Sequence, residues 1–203
     1  MVDKLLRVPK EQLFAPVATR ICPAVHPTTL TLAAFGIGLA AAVAVWQGAY
    51  GFGVGLWGLN RVLDGLDGTV ARLHHKQSDL GGYLDIVLDT VIYAAIPVAL
   101  VLSQPRQAAW FSLAFLLSSF YINGASWMYL AALLEKRRQG ASVQGELTTI
   151  TMPGGIIEGT ETVLLYTLFL LFPGSSAYLF TLMGLLVVAT IGQRIVWAMK
   201  YLR

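Results

Sequence analysis

Four aspartates constrain this chain more than any other feature. Asp64, Asp67, Asp85 and Asp89 form two pairs, and both pairs interrupt sequence that otherwise reads as membrane-spanning. Residues 64–89 hold five of the chain's eleven acidic residues. A carboxylate at the centre of a bilayer costs roughly 2.5–3.5 kcal/mol on insertion scales, so four without partners cost on the order of 10 kcal/mol, comparable to the net stability of a whole domain. Such a cluster has to be offset by cations, and metal ions are the obvious candidates.

The membrane reading rests on composition. The 203 residues are 56% hydrophobic and only 12% charged, with a mean hydropathy of +0.67, whereas a soluble domain carries about 25% charge. The net charge of +3 and the lack of a basic run interleaved with aromatics give no case for nucleic acid. Cys22 stands alone, which excludes an internal disulfide and a cysteine-based metal site. Residues 1–25 mix Lys4, Arg7, Lys10 and Arg20 with Leu5, Leu6, Leu13, Phe14 and Val17, without a signal-peptide core. They predict an amphipathic helix on the membrane surface, starting near Pro9 and leading into a single membrane domain over residues 26–203.

Six apolar segments follow, at residues 28–47, 52–72, 80–102, 108–134, 156–172 and 177–201. Each is close to the ~20 residues that span a hydrocarbon core. Twelve of the fourteen lysines and arginines fall in the terminal segments and alternate loops, Arg106 falls on the other side, and Arg61 lies within a span. The expected fold is therefore an all-α integral membrane protein with six transmembrane helices, set in the plasma or inner membrane. Both termini and the aspartate-bearing ends would face the cytosol.

Helical geometry groups the acidic residues further. At about 100° per residue, Asp64, Asp67, Gly68 and Ala71 share one face, with Arg72 at its edge. Asp85 and Asp89 share another, with Gly81 one turn before them. Residues 73–79 are read as a short loop, so the two faces can meet, while Asp79 stays in water. Four carboxylates together make an oxygen-rich site suited to Mg²⁺ or Mn²⁺. They are enough for two ions, the usual clamp of phosphoryl chemistry. Gly68 and Ala71 remove bulk where a ligand approaches, or simply let helices pack closely.

Together these residues resemble the signature of the CDP-alcohol phosphotransferases (CDP-alcohol phosphatidyltransferases): Asp64-x2-Asp67-Gly68-x2-Ala71-Arg72-x8-Gly81-x3-Asp85-x3-Asp89. The motif covers the second and third spans, and the six-span layout with a cytosolic site is similar to the family's as well. The resemblance implies transfer of a phosphate-bearing group from a CDP-linked donor to an alcohol, with release of CMP. It implies a metal site of Asp64, Asp67, Asp85 and Asp89, the first three holding the ions with Asp89 near them, and Asp89 as general base on the acceptor hydroxyl. Gly68, Ala71 and Arg72 would line the nucleotide and pyrophosphate site, together with Asp64 and Gly81. It also implies a homodimer. CDP-diacylglycerol is the expected donor, with a soluble CDP-amino-alcohol acting on diacylglycerol as the alternative.

The acceptor leaves fewer marks. Glu158 and Glu161 share a helical face at the start of the fifth span, and are read either as acceptor ligands or as acids favouring a helix N-terminus. Members of the family that take inositol phosphate tend to carry arginines in a cytosolic patch nearby. Here Gly159, Thr160 and Thr162 are uncharged, which suits a polyol or serine better. A basic set, Lys76, Lys136, Arg137, Arg138 and Arg194, could instead take glycerol 3-phosphate, although the positive-inside rule alone accounts for most of it. Arg194 lies inside the sixth span and is less easily explained that way. His74 and His75 are read as solvated. A cation transporter would need polar residues continuing across the membrane, and the outer halves of spans two and three are apolar. An inactive scaffold has no reason to keep four membrane carboxylates. A membrane prenyltransferase would need an aspartate where Gly68 stands.

Overall fold

The computed structural model describes residues 16, 18, 19, 25–140 and 154–202. Among them the ordered elements are all helical: α1 Pro27–Trp46, α2 Tyr50–Leu73, α3 Asp79–Ser103, α4 Gln107–Lys136, α5 Gly159–Leu171 and α6 Ser176–Tyr201, with a 3₁₀ turn at Pro173–Ser175. Most of the amphipathic helix expected over residues 1–25 lies outside the described residues. Residues 16, 18 and 19 are helical, and Ala18 is buried beside Leu30, Leu66 and Val70.

Local chemistry sets the boundaries. His26 caps α1 by accepting a hydrogen bond from the Thr28 N–H, and Pro27 opens the helix where no donor is needed. Gly48, at φ +79°, makes the turn into α2, a backbone region that a side chain rarely adopts. Ser78 caps α3, its hydroxyl accepting from the Gly81 N–H at 3.1 Å. The α2–α3 connection is therefore shorter than expected: Asp79 is the first residue of α3, where an acid suits the helix dipole, and it remains exposed.

α1 packs along both α2 and α3, α4 packs along α6, and α5 bridges from α2 to α6. Trp57, Ile92, Leu116, Tyr166, Phe169, Phe180 and Met183 belong to one buried core, to which Ala41 and Val45 of α1 also contribute, so that it draws on all six helices. Tyr166 stacks on Trp57 at 5.5 Å and meets Tyr93 edge-on at 5.1 Å. Pro97, inside α3, has no N–H to offer the carbonyl of Tyr93 one turn back, and the Tyr166 hydroxyl donates to that carbonyl instead. Between α4 and α6, Gly184 leaves room for the Phe115 ring, which a Cβ there would meet at 2.5 Å.

The outside is as apolar as the inside. Phe52, Phe111, Tyr121, Tyr129 and Tyr178 are each at least 67% exposed, far beyond what a water-facing surface carries and suited to lipid. α1, α3, α4 and the stretch from the 3₁₀ turn through α6 are long and apolar enough to cross a membrane. α2 has the length but carries Arg61, Asp64, Asp67 and Arg72. The fifth segment is shorter than expected. Its helix has 13 residues, about 20 Å at 1.5 Å per residue, because it starts only after its cap at Glu158, with residues 156–157 in a bend before it.

Candidate active site

The two aspartate pairs meet, and α1 closes the third side. Thr31, Asn60, Asp64, Asp85 and Asp89 line one crevice of about 10 Å³ between α1, α2 and α3, roughly the room of one water molecule. Asp67 stands beside it, buried, and its Oδ2 accepts a 2.6 Å hydrogen bond from the Thr31 hydroxyl. Asp85 faces the carboxylates of Asp64, Asp67 and Asp89. The helical spacing thus brings all four acids together as expected.

A cation is already present among them. Arg61 Nη2 donates to Asp89 Oδ1 at 2.6 Å and Nη1 to Asp89 Oδ2 at 3.1 Å, a two-pronged grip. Nη1 also lies 3.7 Å from Asp64. The guanidinium is fixed on its other sides. Its Nε donates to Asn60 Oδ1 at 2.8 Å and Nη1 to the Tyr93 hydroxyl at 2.9 Å. Its carbon sits 4.7 Å from the Trp57 ring centre and 5.2 Å from that of Tyr93. Asn60 is itself tied to α1 through a 2.7 Å bond to the Ala34 carbonyl.

These partners set how the acids stand. Among the described residues no three His, Cys, Asp or Glu side chains are gathered tightly enough to hold an ion, because Thr31 draws Asp67 toward α1 and Arg61 draws Asp89 toward the aromatic layer. The donor set still fits a divalent metal. Asp64, Asp85 and Asp89 line the crevice and Asp67 adjoins it, with Arg61 as the cation among them in the described residues, which leaves a surplus of negative charge that oxygen-loving Mg²⁺ or Mn²⁺ would neutralise.

The remaining motif residues flank this centre. Gly68 leaves space for Arg72, whose Nη1 would lie 3.2 Å from a Cβ placed there; Arg72 Nη2 reaches the Thr69 hydroxyl at 3.5 Å. Gly68 therefore lets the guanidinium lie against its own helix. Ala71 is half-buried on the same face. Gly81 sits in the capped first turn of α3 and a Cβ there would approach Ser78 Oγ at 3.1 Å.

Of the acceptor candidates, the two glutamates form a capping box. The Glu161 side chain accepts from the Glu158 N–H at 3.2 Å and the Glu158 side chain accepts from the Glu161 N–H; Glu158 Oε1 also accepts from the Gly155 N–H at 3.1 Å. Arg194 is buried on α6, donates to Asn123 Oδ1 of α4 at 2.7 Å, and lies within electrostatic reach of Glu158. Lys136 ends α4 and is exposed, as is Arg138, while Arg137 Nη2 donates to the Leu202 carbonyl at 2.6 Å. His75 is exposed as expected, but His74 is half-buried, with Nε2 enclosed and, among the described residues, without a hydrogen-bond partner.

Sequence reasoning missed Thr31 and Asn123 as partners; it placed Asn60 and Arg61 one turn before the aspartates and weighed an ion-pair network with Arg61, Arg72 and Lys76 only as the lesser alternative, of which the Arg61–Asp89 pair is present. Each contact joins residues 28 to 71 positions apart. The signal that could have found them is a lone polar residue inside an apolar span at the depth of a charged one.

The family model for CDP-alcohol phosphatidyltransferase matches residues 24–199. An Escherichia coli K12 protein named inner membrane protein YnjF is 38% identical over 176 residues, covering 87% of this chain and 84% of that protein. The bifunctional IPC transferase and DIPP synthase of Archaeoglobus fulgidus is 29% identical over 161 residues, covering 75% of this chain but only 30% of that longer protein. In fold, the chain is similar to Mycobacterium tuberculosis phosphatidylinositol phosphate synthase with CDP-DAG bound: TM-score 0.69, 18% identity, covering 91% of this chain and 92% of that one. The same synthase in complex with manganese and citrate gives a TM-score of 0.68, covering 90% and 87%. The chain belongs to the CDP-alcohol phosphatidyltransferase family and is a membrane transferase of substituted phosphate groups.

Proposed function

We propose that this protein transfers a phosphatidyl group from CDP-diacylglycerol to a small hydroxyl acceptor and releases CMP, using two divalent ions. The observation that carries this reading is the gathering of Asp64, Asp85 and Asp89 around one crevice, with Asp67 beside it. The structural neighbour crystallised with CDP-DAG, and the same neighbour with manganese, supply the donor and the metal by analogy.

In this account Asp64, Asp67 and Asp85 hold the metal ions, which neutralise the donor's pyrophosphate and the charge that builds on the leaving CMP. Arg72 at the crevice edge binds pyrophosphate oxygens, and Gly68 and Ala71 keep the approach clear for the nucleotide, with Gly81 beside them on α3. The acceptor oxygen bonds to the phosphorus that carries diacylglycerol. The bond from that phosphorus to the CMP oxygen breaks, and CMP leaves with the electron pair. Asp89, held near the attacking hydroxyl, takes its proton.

The remaining expectations belong to the same reading. The chain forms one membrane domain of six spans, α2 and the short α5 included, with both termini and the aspartates on the cytosolic side, and it works as a homodimer. Serine, glycerol 3-phosphate or a polyol is the acceptor. Arg194, with Lys136 and Arg138, serves a phosphorylated acceptor, whereas Glu158 and Glu161 serve an uncharged or ammonium-bearing one. Their capping-box role favours the basic set.

The test is an acceptor panel. Purified protein with CDP-diacylglycerol and Mn²⁺ or Mg²⁺ is given serine, glycerol 3-phosphate, inositol, inositol 1-phosphate or nothing, and CMP and lipid product are measured. Product with one acceptor supports the reading and names the lipid. Product only when diacylglycerol and a CDP-amino-alcohol are supplied replaces it with the alternative donor.

A further inference from the structure

A cavity of about 680 Å³ lies at the other end of the bundle from the aspartates, between the start of α4, the 3₁₀ turn and the start of α6, a volume in the range that takes a small ligand. Gln104, which follows α3, stands at one side of it, and the stretch from Asp89 to Gln104 covers about 22 Å at 1.5 Å per residue. Arg106 also lines the cavity; it is exposed, with Nη1 3.5 Å from the Gly174 carbonyl. No Asp or Glu occurs in residues 12–63, 90–134 or 162–203, the stretches that supply this end of the bundle. The Arg106 guanidinium therefore meets no carboxylate from the elements around it.

Two more kinds of donor border the same space. Arg106 leads into α4 without a side-chain cap, and the first α4 hydrogen bond runs from the Trp110 N–H to the Arg106 carbonyl. The N–H groups of Gln107, Ala108 and Ala109 thus have no acceptor one turn back, and the positive end of a 30-residue helix meets the cavity. Ser176 is 8% exposed and lines the cavity, and its hydroxyl makes no hydrogen bond within the described residues. Another part of the wall is aromatic: Phe115 with Phe111 and Tyr178, the last two belonging to the lipid-facing exterior.

We propose that this cavity binds one anionic phospholipid of the leaflet opposite the aspartates. Arg106, the first α4 N–H groups and the Ser176 hydroxyl hold its phosphate, and Phe111, Phe115 and Tyr178 flank its acyl chains. A guanidinium with no acid in reach takes a phosphate through charge-assisted hydrogen bonds, and a helix N-terminus favours the same charge. The aromatic wall selects a lipid over free phosphate, because it offers acyl chains an apolar surface continuous with the exterior. Snorkelling to the membrane surface accounts for an arginine at a helix end, but it gives no partner to the buried Ser176 hydroxyl and no occupant to the cavity. The site is separate from the transfer chemistry and stands whether or not the proposed reaction does.

The test is native mass spectrometry of the purified, delipidated full-length protein titrated with dioleoyl phosphatidylglycerol, or with dioleoyl phosphatidylcholine as the zwitterionic comparison. Wild type, R106Q, T181W and D85N are compared, with thermal melting to check that each folds. Thr181 is exposed and lines the cavity, so T181W fills it from the surface; D85N reports on lipid held at the aspartates instead. The expected result is one phosphatidylglycerol per chain, preferred over phosphatidylcholine by about fivefold or more. Its affinity falls roughly tenfold in R106Q, the scale of a lost charged hydrogen bond. It is lost in T181W and unchanged in D85N. If T181W does not fold, R106Q, which replaces an exposed side chain, decides alone. Wild type without the preference overturns the proposal, as does R106Q with unchanged affinity. Loss of the lipid in D85N places it at the aspartates and also overturns it. Displacement of the lipid by millimolar inorganic phosphate makes the cavity a free-anion site. Conversion of a dimer to a monomer by T181W, with lipid binding intact, makes it the seat of a second copy. Either result contradicts the proposal.

Discussion

The finest distinctions in this protein lie between single atoms. Asp67 is buried, and the Thr31 hydroxyl orients it. Thr31→Val keeps the shape and removes that donor, so Mn²⁺ affinity is expected to fall roughly tenfold, the usual cost of losing an outer hydrogen bond to a metal ligand. Titration of the variant with Mn²⁺ checks this, and unchanged affinity would mean that Asp67 is not a ligand. The Tyr166 hydroxyl answers the carbonyl that Pro97 leaves open. Tyr166→Phe leaves that buried acceptor unsatisfied, with an expected loss of about 1–3 kcal/mol in unfolding free energy and little change in substrate KM. Denaturant unfolding in detergent measures the first and steady-state kinetics the second. At this scale the sequence was half legible. The i, i+3 and i, i+4 spacing of the aspartates states its own geometry, whereas Thr31–Asp67 and Arg61–Asp89 depend on how α1, α2 and α3 lie against each other. Pro97 did carry a readable signal, since a proline inside a helix frees the carbonyl four residues earlier.

Helices fix where those atoms stand. α2 and α3 flank α1 and the three build the crevice, while α4 and α6 form a second pair to which α5 is the link. The α4–α6 contact is close at Gly184, and Gly184→Ala would force the Phe115 ring to move. Overpacking of this kind costs about 1–3 kcal/mol, so a lower melting temperature is expected, with the site's metal affinity unchanged. The start of α5 offers a direct comparison of two roles for one residue. Glu161 completes the capping box, so Glu161→Ala is expected to cost about 1 kcal/mol of stability and to leave the acceptor KM alone. A severalfold rise in that KM without loss of stability would instead put Glu161 in the acceptor site. Element positions were the most legible part of the fold, because apolar runs of membrane length are hard to mistake. The exceptions sit where polar chemistry intrudes: Asp79 belongs to the helix that Ser78 caps, and α5 is shortened by its own cap.

For the whole molecule, two features act together. An apolar exterior places the chain in lipid, and the acids of α2 and α3 gather near the end of the bundle where those two helices join. A donor with acyl chains can then remain in the bilayer while its head group reaches the crevice. The proposed orientation, argued from charge asymmetry, has the 74–78 connection on the cytosolic side with both termini. Cysteines introduced at residue 75 and at residue 48 in a Cys22→Ser background are therefore expected to react with membrane-impermeant reagents from opposite sides. Labelling of both from one side would contradict six spans.

The most direct test of the central claim is CMP release from CDP-diacylglycerol by the purified protein in the presence of its acceptor, measured with Mn²⁺ and with chelator, for wild type and Asp89→Asn. The account predicts release that requires the metal and falls by roughly a hundredfold or more in the variant, the scale of a lost general base. Release that survives chelation, or that Asp89→Asn leaves intact, would contradict it.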